Sequence, residues 1–215
     1  MRAALIVIVA VAEVVSWRIV ARRGKANEWN LMIAVFFLQG VVGLSMWHIE
    51  WCSDSTIRDA VLLGLGSGSA LYAATRAFVA VALRVPIFRA HVADRYERAA
   101  LVPLPVAVAI AVVIAAPGEE LFWRGLVQGL GGAHSTEFVG AALAWAGYIA
   151  VKSATGSLPL IAAAVVGGLA WGVVTIATGG ILAAVMCHGV WTALMLAFPP
   201  RSGRALPGAR EMMPG

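Results

Sequence analysis

The sequence predicts an all-α protein, a polytopic bundle of about seven membrane-spanning helices, on three observations. Of the 215 residues, 61% are hydrophobic and only 13% are charged. The mean hydropathy is +0.87. Soluble domains are roughly half apolar and about one quarter charged, so water is not the solvent for most of this surface. The apolar residues also form runs close to the ~20 residues that cross a bilayer as a helix. These features exclude a soluble globular function.

Seven segments meet this criterion, at residues 2–17, 31–48, 59–83, 100–118, 138–154, 158–178 and 180–198. The first resembles a signal peptide but is shorter than such peptides, so we expect an uncleaved span. The fourth is expected to continue through EELFWRGLVQGL as one long helix, with Pro117 as a candidate kink. We expect N-terminal helices over 1–99, a membrane core over 100–198 and a disordered cytoplasmic tail over 199–215. Glycines four residues apart predict close helix packing, at Gly64 and Gly68, Gly125 and Gly129, and Gly168 and Gly172.

Basic residues follow the first, third and last segments, whereas the loop after the second is not basic. They are Arg18, Arg22, Arg23, Lys25, Arg84, Arg89, Arg95, Arg98, Arg201, Arg204 and Arg210. Because positive loops stay on the cytoplasmic side, we expect an external N-terminus and a cytoplasmic C-terminus. The net charge of +5 suits anionic lipid headgroups, and no nucleic-acid partner is expected.

Ionisable side chains inside a span cost about 2.5–3.5 kcal/mol each on insertion scales, so each needs a partner or a function. The candidates are Glu13, Arg76, Glu119, Glu120, Arg124, Lys152 and His188. Glu13 and Arg76 are expected to form a structural ion pair or to reach the surface, with substrate binding by Arg76 as the alternative.

The EELFWR segment places two carboxylates and an arginine on one helix. Glu120 and Arg124 are four residues apart and share a face, so they are expected to pair. Glu119 points about 100° away and is free to act as a general base on water. The alternative is an interfacial helix start after Pro117, where acidic residues are favoured.

Two later segments add polar pairs at the same spacing. Tyr148 and Lys152 share a face of the fifth segment, and His188 and Thr192 share a face of the last. We expect a shared internal cavity. The alternatives are a histidine bonded to a backbone carbonyl and a lysine that reaches the surface. His91 and His134 fall in expected loops, outside that cavity.

These residues resemble the signature of the CPBP (Abi) family of intramembrane endopeptidases, which includes the CAAX prenyl proteases. Its motifs, in order on successive helices, are Glu-Glu-x-x-x-Arg, Phe-x-x-x-His and His-x-x-x-Asn. This chain has Glu119-Glu120-x-x-x-Arg124, Tyr148-x-x-x-Lys152 and His188-x-x-x-Thr192. The resemblance covers about residues 100–198 and implies a CAAX-prenyl-protease-like core.

The resemblance also implies a function: amide hydrolysis of a membrane-embedded peptide in a bacterial plasma membrane, with no metal or other cofactor. It assigns Glu119 to water activation and His188 with Thr192 to the developing oxyanion. Lys152 takes the place of the histidine that helps to position the water in active relatives. Glu120, Arg124 and Tyr148 would be supporting residues.

Two departures from the family pattern keep an alternative open. A charged lysine at 152 cannot accept a hydrogen bond from water, and pairing with Glu119 would displace that water. A neutral Lys152 could instead act as a base. Thr192 has a shorter reach than asparagine, and without a second histidine no zinc is expected. The alternative is therefore a catalytically inactive pseudoprotease that acts as a binding, scaffold or bacteriocin-immunity subunit. A small transporter is a third hypothesis, supported only by the ionisable groups within the spans.

Overall fold

The computed structural model describes residues 2–23 and 28–200, with the side chains of 22 and 23 left undescribed. Across these ranges the secondary structure is helical and contains no strand, which confirms the all-α prediction. The helices are α1 (Arg2–Arg23), α2 (Glu28–Met46), α3 (Ile57–Ala82), α4 (Pro86–Ala99), α5 (Leu104–His134), α6 (Glu137–Ser153), α7 (Leu158–Thr178) and α8 (Leu182–Ala197). Lys25 and the predicted disordered tail from residue 201 onward lie outside the described residues.

Four of these helices are long and apolar enough to cross a membrane, namely α1, α2, α5 and α7, and α8 is apolar but shorter. The chain is therefore a multi-pass membrane protein. The remaining predicted segments do form helices α3, α6 and α8. The count of seven spans is not confirmed and stays a prediction.

Helix α5 runs without a break through Pro117, as one long helix rather than a span followed by a separate segment. It contains two π-helical stretches, Ala111–Ala115 and Leu121–Gln128, on either side of the α-helical Ala116–Glu120. Such π segments are frequent at functional sites. The continuous helix keeps Glu119 deep in the bundle, where it can meet residues of α6 and α8.

Helix α4 was not predicted, because the arginines after the third segment were expected to lie in a loop. Phe88 and Val92, one turn apart, bury against Val79 of α3, which makes α4 amphipathic. The Tyr96 hydroxyl donates to the Met195 carbonyl at 3.1 Å and ties α4 to the end of α8. Burial raises the pKa of the Tyr96 phenol above its ordinary value.

The contact between α3 and α8 depends on glycine. A Cβ on Gly64 would lie 2.6 Å from the Ala183 carbonyl oxygen, and one on Gly68 would lie 2.6 Å from that of Cys187. No real side chain tolerates these distances, so the two backbones touch only because both positions lack one. The close packing predicted for this glycine pair is confirmed, and it holds the helix that carries His188.

The start of α8 is fixed by the loop after α2. Gly179 ends α7 in the left-handed conformation, with φ of +64°, and lets the chain reverse. The backbone N–H groups of Ile181 and Leu182 then donate to the carbonyls of Glu50 and Trp51, both at 3.0 Å. These bonds satisfy donors that a helix N-terminus leaves open.

Candidate active site

The Glu119 carboxylate lies where α5, α6 and α8 meet, and its side chain is only 5% exposed. Lys152 Nζ of α6 donates to its Oε1 atom. The Tyr148 hydroxyl donates to Oε2 at 3.2 Å. His188 Nε2 of α8 lies 3.7 Å from the same Oε2. The structure thus brings together candidates from all three motif segments, including both Tyr148 and Lys152 of the second.

Lys152 is buried between two carboxylates rather than extended to the surface. Its ammonium group also donates to Glu13 Oε1 of α1, at 2.5 Å. The rings of Trp17, Phe36 and Tyr148 surround it, with centroids 5.4, 5.0 and 5.1 Å from Nζ. Aromatic faces attract a cation, so this pocket suits a charged lysine.

Glu13 and Arg76 do not form the ion pair that was one of their two expected explanations. Glu13 does form a buried ion pair, but with Lys152, and its side chain is fully enclosed. Arg76 Nη1 donates to the Phe198 carbonyl at 2.6 Å, and its guanidinium lies over the ring of Tyr72. The spacing along separate helices carried no information on which of these charges would meet.

Glu120 and Arg124 form the pair that their spacing predicts. Arg124 Nε lies 3.3 Å from Glu120 Oε2, and Nη1 lies 3.4 Å from Oε1. Arg124 Nη2 also donates to the Gly168 carbonyl of α7 at 3.0 Å. The guanidinium stands between the rings of Tyr148 and Trp171, whose centroids are 4.9 and 5.1 Å away. This pair therefore also links α5 to α7.

His188 is held on two sides. Its Nδ1 lies 2.8 Å from Glu120 Oε1, and its ring stacks on Trp171 at 3.8 Å between centroids, with an angle of 14° between planes. An ionised carboxylate only accepts hydrogen bonds, so Nδ1 carries the proton of this bond. The other nitrogen, Nε2, is left to face Glu119.

Thr192 is one turn beyond His188 but makes no hydrogen bond to the cluster. Its hydroxyl is buried and has no hydrogen-bond partner among the described residues, and it lines a large cavity. His91 and His134 lie in helices α4 and α5 rather than in loops. Their ring nitrogens bond the Leu158 backbone N–H and the Leu130 carbonyl, away from the cluster.

The large cavity has a volume of 740 Å³ and an almost entirely apolar wall. Trp17 and Phe36, which lie over Lys152, form part of that wall together with Thr192. A smaller cavity of 310 Å³ approaches from the other end of α2 and reaches Arg124 and Gln128. The buried cluster thus lies between two openings of different polarity.

The cluster contains three carboxylates, two permanent cations and one imidazole. With His188 neutral, these groups leave one negative charge in excess. Among the described residues, no group of three or more His, Cys, Asp or Glu side chains is arranged to hold a metal ion. The chemistry available from these groups is proton transfer and hydrogen-bond donation.

Sequence reasoning missed several members of the site: Glu13 as a partner of Lys152, Gln39, Trp17, Phe36 and Trp171. Glu13 had a signal, because a carboxylate within a span needs a partner. The aromatic residues had none, since apolar rings are ordinary in membrane helices. Their role became visible only when the helices packed around the two cations.

Together, the helical membrane bundle and its buried acid, base and imidazole groups define a class of polytopic membrane protein with a polar site at its core. Residues 101–194 match a family model described as type II CAAX prenyl endopeptidase Rce1-like. That stretch contains all three motif segments, and the match agrees with the resemblance of these motifs to the CPBP family of membrane endopeptidases. Comparisons with curated proteins and with solved structures gave no match.

Proposed function

We propose that this chain is an intramembrane endopeptidase that hydrolyses an amide bond of a membrane-embedded peptide, with Glu119 as the base. One observation carries the proposal: the buried Glu119 carboxylate lies within 3.7 Å of an imidazole and contacts a phenol and an ammonium group. Titratable groups that converge in this way beside a cavity are typical of active sites. The apolar cavity of 740 Å³ suits a hydrophobic peptide segment.

The chemistry follows from the donors and acceptors of the cluster. Glu119 takes a proton from water while the water oxygen bonds to the carbonyl carbon of the substrate. The carbonyl oxygen becomes an oxyanion, which the ammonium group of Lys152 would stabilise, together with His188 once its Nε2 carries a proton. The C–N bond then breaks as Glu119 returns the proton to the leaving nitrogen.

Three further residues support this reaction without taking the proton. Glu120 holds Nδ1–H of His188 and stabilises its imidazolium form, as a carboxylate does for the histidine of a catalytic triad. Arg124 balances the charge of Glu120. The Thr192 hydroxyl, which has no partner in the described part of the chain, is available to donate to a bound peptide.

The test is cleavage of a library of hydrophobic peptides by purified protein reconstituted in lipid vesicles, with products identified by mass spectrometry. Glu119→Gln should abolish cleavage, whereas Glu50→Gln, a control at a side chain that is 61% exposed, should retain it. An inert wild type, or cleavage that survives Glu119→Gln, contradicts the proposal.

A second candidate function is favoured by the Lys152 contacts. The ammonium group occupies Glu119 Oε1, where active relatives place a water, so the chain would bind membrane peptides without cutting them. In that case Lys152→His, which restores the family residue, should produce cleavage that the wild type lacks. Equal inactivity of both proteins would show that lysine is not the cause.

The orientation of the chain is also a proposal. Trp17 of α1, Val79 of α3 and Leu196 of α8 line the same large cavity as Arg95 and Arg98 of α4, so the C-terminal parts of these helices lie at one end of the bundle. We place that end in the cytoplasm of a bacterial cell, with anionic lipids and a membrane peptide as partners. Labelling of single cysteines in whole cells should show residue 48 accessible from outside and residue 84 protected.

A further inference from the structure

Glu13 brings a third carboxylate to the buried cluster from a helix outside the family match. It accepts hydrogen bonds from Trp17 Nε1 at 3.2 Å, from Gln39 Nε2 at 2.6 Å and from Lys152 Nζ at 2.5 Å. Its side chain is 0% exposed. Three donors thus surround one enclosed carboxylate and occupy both of its oxygens.

One carboxylate would be enough to balance Lys152, yet the ammonium group has two. Arg124 does not balance the second carboxylate, because its guanidinium is paired with Glu120. With His188 neutral, the second carboxylate is an excess negative charge at membrane depth, which costs free energy, and removing it would leave a balanced pair. A purely structural ion pair therefore does not explain why Glu13 and Glu119 both face the same lysine.

Protonation of Glu119 removes this excess negative charge, but it also takes one anionic partner away from Lys152. When Glu119 is neutral, Lys152 keeps its charge only if another carboxylate lies within reach, since an unpaired buried cation is strongly unfavourable. Glu13 already lies at 2.5 Å. We propose that Glu13 is the standing counter-ion of Lys152, so that Glu119 can gain and lose a proton while the ammonium group stays paired.

This inference rests on the proposed function for its catalytic meaning, but its electrostatic basis belongs to the folded protein. Glu13 is a positioning residue that acts through Lys152. It explains how a lysine can replace the histidine of the family pattern: the first half of the chain supplies the charge that the replacement requires. The alternative is that Glu13 merely fastens α1 to α6.

Thermal unfolding of four proteins separates the two cases, because Glu119→Gln is a neutral, isosteric stand-in for protonated Glu119. Glu13→Gln and Glu119→Gln each leave Lys152 one carboxylate, so each alone should shift Tm little. The double variant leaves none, and its Tm should fall by on the order of 10 °C, well beyond the sum of the single shifts. Adding Lys152→Met to the double variant should restore most of the loss.

Cleavage kinetics provide the second readout. Glu13→Gln should lower kcat by about 100-fold, the order of loss that follows a misplaced reacting group, with KM unchanged. Glu13→Asp keeps the charge and should recover most of kcat. A residue that only fastens α1 would lower Tm in the single variant, add to Glu119→Gln without excess and leave kcat unchanged.

The failures of the two proposals are distinguishable. An inert wild type overturns the endopeptidase, while a more than additive loss of Tm in the double variant still upholds the counter-ion. Additive Tm shifts overturn the counter-ion even if Glu119→Gln abolishes cleavage.

Discussion

Two ion clusters lie side by side in the bundle and are built in different ways. Glu120 and Arg124 come from one turn of α5, whereas Glu119, Lys152 and Glu13 come from three helices. The difference begins at two adjacent carboxylates, whose directions on the helix differ by about 100°. One finds its cation on its own helix, and the other has to find it across the bundle.

This contrast shows how sequence neighbours acquire different tasks. The local cluster is complete as soon as α5 forms, and it anchors Gly168 of α7 and His188 of α8. The long-range cluster exists only when α1, α5 and α6 have packed. The local cluster is suited to holding helices in place. The long-range cluster has two carboxylates for one lysine and is suited to proton transfer.

The largest effect is expected from breaking the local cluster. Arg124→Met leaves Glu120 buried without its cation, so the free energy of unfolding should fall by about 3–5 kcal/mol. Unfolding in detergent micelles, followed by tryptophan fluorescence, measures this loss. A loss below about 1 kcal/mol, the range of exposed pairs, would remove the basis for calling this cluster an anchor.

A smaller effect is expected where α8 is held against α3. Gly68→Ala would push a Cβ into the Cys187 carbonyl, next to His188, and should cost about 1–3 kcal/mol. Gly66→Ala is the matched control, because no atom lies within 4 Å of its Cβ position on the same helix. Alanine there should stabilise the helix by about 0.5–1 kcal/mol. Equal effects of the two variants would show that the close approach is unimportant.

The smallest effect is expected at a more exposed ion pair, and its size shows how much burial contributes to the stabilisation by Glu120 and Arg124. Asp94 and Arg98 of α4 have the same spacing as Glu120 and Arg124, with 2.7 Å between Asp94 Oδ2 and Arg98 Nε, but their side chains are 42% and 17% exposed. Asp94→Asn should cost only about 0.2–1 kcal/mol. Added salt should reduce this loss, whereas the loss in Arg124→Met should not change. A loss in Asp94→Asn as large as that in Arg124→Met would show that burial does not separate the two pairs.

Much of the fold could be predicted because membrane helices are recognisable as long runs of high hydropathy. Each predicted apolar segment corresponds to a helix, and EELFWR continues α5 as expected. Helix α4 was not predicted because its arginines interrupt the apolar run, although Phe88 and Val92 are spaced as on one face of a helix. Helix α5 begins and ends about four residues later than predicted, at Leu104 and His134.

Within the site, the contacts that could be predicted from the sequence and those that could not correspond to the two ion clusters. The pairing of Glu120 with Arg124 follows from four-residue spacing and needs no tertiary information. The contact of Lys152 with Glu13 joins residues 139 positions apart, which only packing of α1 against α6 creates. The stacking of Trp171 on His188 has no polar signal at all.

The central claim is that Glu119 reacts while its neighbour Glu120 supports, and one paired measurement tests it directly. Cleavage rate and Tm are recorded in the same vesicles for Glu119→Gln and Glu120→Gln. The account predicts that Glu119→Gln loses cleavage and keeps its Tm, because Glu13 still pairs Lys152. It predicts that Glu120→Gln loses Tm through Arg124 and His188. Cleavage that persists in Glu119→Gln, or a larger loss of Tm there than in Glu120→Gln, would contradict this division.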